Sequence, residues 1–197
     1  MTAVVLTDRL VPVPTLDTRA RTAALVLGGA LITAACAQLT LHLPWTPVPI
    51  TGQTFAVLLV GGALGWVRGA ASMALYVMLG AVGLPFYAEA ADGSRGGWEL
   101  ATGSTAGYLV GFILAAALVG WLAERGQDRR LDASLPAMLA GTAVIYVVGV
   151  AWLAHDLGID STTAMEYGLT PFVVGDATKL LLAGTLLPAA WRFADRR

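Results

Sequence analysis

The amino-acid sequence contains long apolar stretches that carry almost no charge, and this feature decides the class of protein. Residues 22–41 (TAALVLGGALITAACAQLTL) carry no charged side chain, and a helix needs about 20 apolar residues to cross a bilayer. Across the chain 57% of residues are hydrophobic and 13% are charged, whereas a soluble domain has about 25% charged residues. Too little polar surface remains to cover a water-soluble globule. We therefore predict an all-α integral membrane protein.

Five further apolar segments follow the first, and together they predict six transmembrane helices. We expect these helices over residues 22–41, 55–67, 69–83, 104–122, 135–154 and 171–191. The second and third are short for membrane spans, and Arg68 separates them in a tight turn. The predicted organisation is a tail of residues 1–21, one transmembrane domain of residues 22–191 and a tail of residues 192–197. The first tail lacks the pattern of a secretory signal, and we expect it to be partly disordered.

The distribution of arginine indicates the orientation of the spans. With six spans and both termini in the cytoplasm, ten of the 11 arginines fall on one side of the membrane, and only Arg95 falls on the other. Cytoplasmic loops of membrane proteins carry such an excess of basic residues. We therefore expect both termini in the cytoplasm and a multi-pass protein of the cytoplasmic membrane.

Two charged residues inside the sixth apolar segment are the first candidates for a binding site. Lys179 is the only lysine in the chain, and Asp176 lies one turn earlier on the same helix face. Counted from Pro171, they lie about 7 and about 12 Å into the helix, in the outer half of the membrane. A charge at this depth costs several kcal/mol and usually faces a cavity. The alternatives are a structural ion pair and a lysine that reaches the membrane surface.

The loop before the second predicted helix supplies neutral polar candidates. Its prolines forbid a regular helix, and it ends in ITGQT, with Thr51, Gln53 and Thr54. Irregular backbone at membrane depth is tolerated where protein or a water-filled cavity surrounds it. The alternative is that Thr51 only caps the helix that follows.

The long loop between the third and fourth predicted helices, together with the start of the fourth, supplies aromatic candidates. It is rich in glycine and polar residues, which is typical of a lid over a site. Tyr87, Trp98 and Tyr108 are able to stack on a flat ligand, and Arg95 is able to hold a carboxylate. The alternative for each aromatic residue is the aromatic belt at the membrane surface.

One face of the first predicted helix carries only small residues. Gly29, Ala30, Thr33 and Ala34 repeat at a spacing of four, which lets another helix approach closely. The partner helix belongs either to another protein or to the same bundle.

Several classes of function are excluded or disfavoured. A net charge of −1 argues against nucleic acid as a partner. Cys36 is the single cysteine, so the sequence predicts no disulfide and no cysteine-based metal site. His42 and His155 lack a nucleophile partner or a metal-ligand spacing, and no phosphate-binding loop is present. We therefore expect neither an enzyme nor a protein with a cofactor of its own.

Four stretches of the sequence, taken together, resemble the BioY family. They are VPITGQTFAVLLVGGALG (48–65), LGAVGLPFYA (79–88), TAGYLVGF (105–112) and PFVVGDATKLLLA (171–183). The family comprises the biotin-specific substrate-binding subunits, or S components, of energy-coupling-factor (ECF) importers in the bacterial cytoplasmic membrane. The resemblance implies the six-helix S-component fold and a biotin site near the outer face. It also implies an ECF T component and two ATPase subunits as partners, with the small-residue face of the first helix as the docking surface.

The resemblance assigns residues to the site by position in these motifs. The aspartate and lysine of the family's last motif fall on Asp176 and Lys179, the glutamine and threonine of its proline-rich loop on Gln53 and Thr54, and the tyrosine of its fourth helix on Tyr108. TGSTAGY stands where GPTGGY is typical, so the resemblance leaves the assignment of Arg95, Trp98 and Ser104 open.

The residue chemistry agrees with biotin, because Asp176 is able to accept from the ureido N–H groups while Lys179 donates to the ureido carbonyl. The reverse orientation, with Lys179 on the carboxylate, stays open. Three further alternatives stay open: the ligand is another small vitamin, the protein transports without ECF partners, or it forms a homo-oligomer.

Overall fold

The structure is a computed structural model, and it describes residues 5–10, 17–90 and 92–196. The α-helices in these ranges are α1 (Leu6–Leu10), α2 (Thr18–Ala37), α3 (Gln53–Leu64), α4 (Trp66–Ala81), α5 (Trp98–Thr102), α6 (Ala106–Ala123), α7 (Leu131–Leu157), α8 (Ser161–Gly168) and α9 (Val173–Ala194). A 3₁₀ turn over Thr170–Phe172 leads into α9. Two short antiparallel strands, β1 (Thr40–Leu41) and β2 (Ile50–Thr51), pair between α2 and α3. The architecture is mostly helical, as the all-α prediction expects, apart from this short strand pair.

Within the residues that the structure describes, four helical stretches are long and apolar enough to cross a membrane. They are Thr18–Ala37, Ala106–Ala123, Leu131–Leu157 and Ser161–Ala194, the last of which joins α8, the 3₁₀ turn and α9. Helix α3 has 12 residues and α4 has 16, so they are about 18 and 24 Å long, against a hydrocarbon core of about 30 Å. Eight of the 12 residues of α3 are buried, because other helices surround it.

The turn between α3 and α4 lies at Gly65, and the prediction that Arg68 forms it is wrong. Gly65 has a φ of 83°, a conformation that glycine adopts without strain. The carboxylate of Glu124 then accepts a hydrogen bond from the backbone N–H of Trp66 at 3.1 Å. Arg68 lies within α4, where it pairs with Asp8 at 2.8 Å.

The described residues of the N-terminal segment are helical, which the sequence does not predict. Helix α2 begins at Thr18 rather than at residue 22, and a short helix, α1, precedes it. Leu6 of α1 is 4% exposed, and Asp8 pairs with Arg21 at 3.1 Å and with Arg68. Residues 1–4 and 11–16 of the predicted tail lie outside the described residues. The described part of α1 is therefore held by apolar burial and by two arginines.

The small-residue face of α2 packs inside the chain. Ala30 and Thr33 are fully buried, and Ala34 is 7% exposed. A Cβ atom placed on Gly29 would lie 2.5 Å from Oγ of Ser72 in α4. This arrangement agrees with the second alternative, in which the partner helix belongs to the same bundle. A partner protein would reach these residues only if α2 and α4 separated.

Two buried apolar clusters fill the bundle. The larger surrounds Tyr76, Phe112 and Ile145, near the end of the bundle at which α3 and α9 begin. The second, which we call the end cluster, lies at the opposite end and consists of Leu6, Leu58, Val119, Met138, Ala183, Leu187, Trp191 and Ala194. Two helices also meet closely at the turn after α3, where Gly120 of α6 lies against the backbone of Gly65.

Candidate functional site

A cavity of about 630 Å³ lies at the end of the bundle where α3, α6 and α9 begin. Its walls are apolar where Leu109, Phe112, Ile145 and Phe172 line it, and polar groups gather at the start of α3 and on α9. A volume of this size is in the range of small-molecule sites, about 300–1,000 Å³. An apolar wall with a few convergent polar groups is also typical of such sites.

Asp176 lies at the centre of the polar side chains in this cavity. Its side chain is 5% exposed, and Nζ of Lys179 lies 2.6 Å from Oδ1. The hydroxyl of Thr54 donates to the same oxygen at 3.2 Å, and the hydroxyl of Tyr146 donates to Oδ2 at 2.7 Å. The buried carboxylate is thus compensated by one cation and two hydroxyl groups, as a buried charge requires.

Lys179 points inward rather than toward a membrane surface. Its ammonium group donates to the backbone carbonyl of Thr51 at 2.5 Å and to Oγ1 of Thr54 at 3.4 Å, besides Asp176. The ammonium group of Lys179 therefore connects the start of α3 with the first half of α9.

The polar loop residues before α3 contact one another as well as the cavity. Gln53 donates to the hydroxyl of the buried Tyr76 and accepts from the hydroxyl of Thr51 at 2.8 Å. The Thr51 hydroxyl also accepts from the backbone N–H of Gln53 at 3.2 Å, although the helix cap itself is Gly52. Thr51, Gln53 and Thr54 all line the cavity.

Tyr108 and Tyr87 form aromatic walls of the cavity and are fixed by hydrogen bonds to backbone. The hydroxyl of Tyr108 donates to the carbonyl of Gly168 at 2.7 Å, and that of Tyr87 donates to the carbonyl of Val77 at 2.6 Å. A Cβ atom on Gly149 would lie 2.4 Å from the Tyr108 ring, so glycine makes room for this side chain.

The described residues that line the cavity do not include Arg95 or Trp98. Arg95 pairs with Glu89 and donates to Gln38, and its carbonyl accepts from the backbone N–H of Tyr87 at 2.8 Å. Trp98 is 71% exposed. Arg95 therefore connects the loop after α4 with the end of α2, next to the mouth of the cavity.

Sequence reasoning missed Tyr146, which contacts Asp176 directly. It lies in α7 and lines the cavity. One signal was present: Tyr146 carries the only phenol hydroxyl between residues 135 and 154.

The chain is similar to known proteins along most of its length. The model of the BioY family matches residues 8–196. A protein of Rhizobium etli named biotin transporter BioY is 35% identical over 167 residues, which cover 81% of this chain and 87% of that protein. A protein of Thermotoga maritima with the same name is 38% identical over 149 residues, which cover 74% and 82%.

A solved structure shares the fold. It is described as the S-component for biotin from an ECF-type ABC transporter, and it superposes with a TM-score of 0.79 over 90% of this chain and 95% of that one. At 22% sequence identity, this likeness supports the fold and leaves the ligand to be argued from the site.

Proposed function

Because this chain belongs to the BioY family, we propose that it captures biotin at the outer side of the cytoplasmic membrane and delivers it inward as the substrate-binding subunit of an ECF-type importer. The observation that carries this proposal is the buried Asp176–Lys179 pair in a cavity of about 630 Å³. Charged residues inside a membrane protein are costly and are kept where they bind or move something.

The chemistry of biotin fits the distribution of groups in the cavity. Its ureido ring offers N–H donors for Asp176, and its thioether ring and aliphatic chain suit walls such as Phe112 and Ile145. Thr51, Gln53, Thr54, Tyr87 and Tyr108 complete the proposed contacts. Arg95 and Trp98 lie outside the lining, and Arg95 supports binding by holding the loop beside the mouth.

Helices α2, α3, α4, α6, α7 and α9 form six spans in this proposal, with both termini in the cytoplasm. The bias of arginine toward one set of loops supports this topology. Helix α3 is short but mostly enclosed by protein, so little of it needs contact with lipid. We expect a reporter enzyme that is active only in the periplasm to be inactive when fused after residue 197. Activity of that fusion would contradict the topology.

Energy for import comes from other chains in this proposal. An ECF T component and two ATPase subunits are the partners that the S-component fold implies. A subunit that binds the ligand but does not hydrolyse ATP needs only a site that opens to one side of the membrane. The structure fits this requirement, because the cavity lies at one end of the bundle and the end cluster fills the other.

The proposed function predicts selective stabilisation of the purified protein by biotin. A ligand that binds only the folded state, at a concentration of 100 times its Kd, stabilises the folded protein by about 2.7 kcal/mol. This stabilisation is large enough to raise the melting temperature clearly. We expect a saturable, one-to-one response to biotin in detergent, measured by thermal shift and by calorimetry. Thiamine and riboflavin are the controls. A response to one of them, with none to biotin, would assign the chain to another vitamin, and no response to any would remove the import function.

A further inference from the structure

The two carboxylate oxygens of Asp176 have unequal surroundings. Oδ1 accepts from Lys179 at 2.6 Å and from Thr54 at 3.2 Å, whereas Oδ2 accepts from Tyr146 at 2.7 Å. A carboxylate offers about four acceptor positions, so three donors leave room for one more. Since Oδ1 already holds two donors, the remaining position is on Oδ2, beside the Tyr146 hydroxyl.

Lys179 has little to offer a ligand directly. An ammonium group has three N–H donors and no acceptor, and those of Lys179 are directed to Thr51, Thr54 and Asp176. A ligand would contact it only in exchange for one of these protein groups. The phenol oxygen of Tyr146 and Oδ2 of Asp176 do retain acceptor capacity. This part of the cavity therefore suits a ligand that presents an N–H group.

The position of the Tyr146 hydroxyl is set by packing around its ring. The ring meets that of Tyr108 edge to face, with centroids 6.5 Å apart and an interplanar angle of 89°, and Tyr108 is itself held by Gly168. Tyr146 also lines a smaller groove of about 300 Å³, together with Val150 and Met165. The edge-to-face contact with Tyr108 and the hydrogen bond to Asp176 hold the ring on the side away from this groove, so its hydroxyl is a fixed donor.

We propose that Tyr146 is a positioning residue that fixes the Asp176 carboxylate so that Oδ2 receives an N–H of the ligand. Lys179 compensates the charge of that carboxylate from the opposite oxygen. This inference rests on the proposed function, and it specifies the orientation in which the ureido edge of biotin enters the polar end of the cavity. Without the hydroxyl, Oδ2 is able to turn toward Lys179, and the ligand-facing oxygen is lost.

The test compares two ligands on the variant Tyr146→Phe, which removes one hydroxyl and keeps the ring. The ligands are biotin and an isosteric analogue in which one ureido N–H is replaced by a ring oxygen. We expect the unmodified protein to prefer biotin at least tenfold, because a hydrogen bond to a carboxylate is strong. In Tyr146→Phe we expect biotin affinity to fall at least fivefold and the preference over the analogue to narrow at least threefold.

Tyr167→Phe is the matched control, since Tyr167 lies in α8 outside the lining residues that the structure describes. We expect it to leave both affinities unchanged. An equal loss of affinity for both ligands in Tyr146→Phe would reduce Tyr146 to a packing residue, and unchanged affinities would overturn the proposal. Failure of the unmodified protein to bind biotin would instead refute the proposed function, so the two failures are distinguishable.

Discussion

Lys179→Met is expected to weaken biotin binding at least tenfold and to lower the free energy of unfolding by about 3 kcal/mol. Removal of one partner from a buried ion pair costs about 3–5 kcal/mol, because the other charge stays buried. Thr54 and Tyr146 still donate to Asp176, which places the expected loss near the lower limit. Asp176→Asn is expected to weaken binding by the same tenfold factor, equivalent to about 1.4 kcal/mol.

The double variant Asp176→Asn with Lys179→Met separates the two roles of the pair. We expect it to recover most of the lost stability, because neither position of the pair then carries a buried charge, while biotin binding stays weak. Denaturant titration and calorimetry measure the two quantities on the same samples. Recovery of affinity in the double variant would make the pair purely structural. The exposed pair Arg130–Asp132 supplies the control, and Asp132→Asn is expected to change neither quantity.

Gly120→Ala is expected to destabilise the protein by about 3 kcal/mol or more, although it adds one methyl group. The added Cβ would lie 2.4 Å from the backbone carbon of Gly65 and 2.5 Å from the backbone nitrogen of Trp66. Backbone atoms at a turn cannot move aside as a flexible side chain can, so the cost exceeds the usual 1–3 kcal/mol of overpacking. Displacement of α6 would also break the hydrogen bond between Glu124 and Trp66.

Gly28→Ala is the matched control for this substitution. A Cβ atom on Gly28 would meet no atom within 4 Å, and alanine favours a helix by about 1 kcal/mol over glycine. We therefore expect Gly28→Ala to raise the melting temperature slightly and Gly120→Ala to lower it sharply. Equal melting temperatures for the two variants would show that α6 does not approach the Gly65 turn as closely as described.

The cavity's polar end is predictable from the sequence because its residues violate the local pattern. A lone lysine and an aspartate within an apolar segment require a reason, and so does the polar motif of Thr51, Gln53 and Thr54 after three prolines. The structure brings these five residues to one cavity. Their roles in binding biotin stay predictions.

Other features depend on contacts between distant residues and leave no local signal. The charge of Arg68 predicts a loop, because a charged side chain is disfavoured within a membrane span. The structure places Arg68 in α4, where Asp8, 60 residues away in the sequence, pairs with it. Helix α1 is too short to show a hydrophobic period and is recognisable only once Leu6 packs against the bundle. A tyrosine in an apolar segment predicts ordinary packing, so the bond of Tyr146 to Asp176 became visible only with the fold.

The end cluster also affects whether water and ions are able to pass through the bundle. Eight buried side chains from five helices close the end of the bundle away from the cavity, and apolar constrictions of this kind exclude a continuous file of water. We therefore expect the described part of this bundle to offer neither ions nor protons a conducting path. A cell is then able to keep many copies in its membrane, loaded or empty, without discharging its membrane potential.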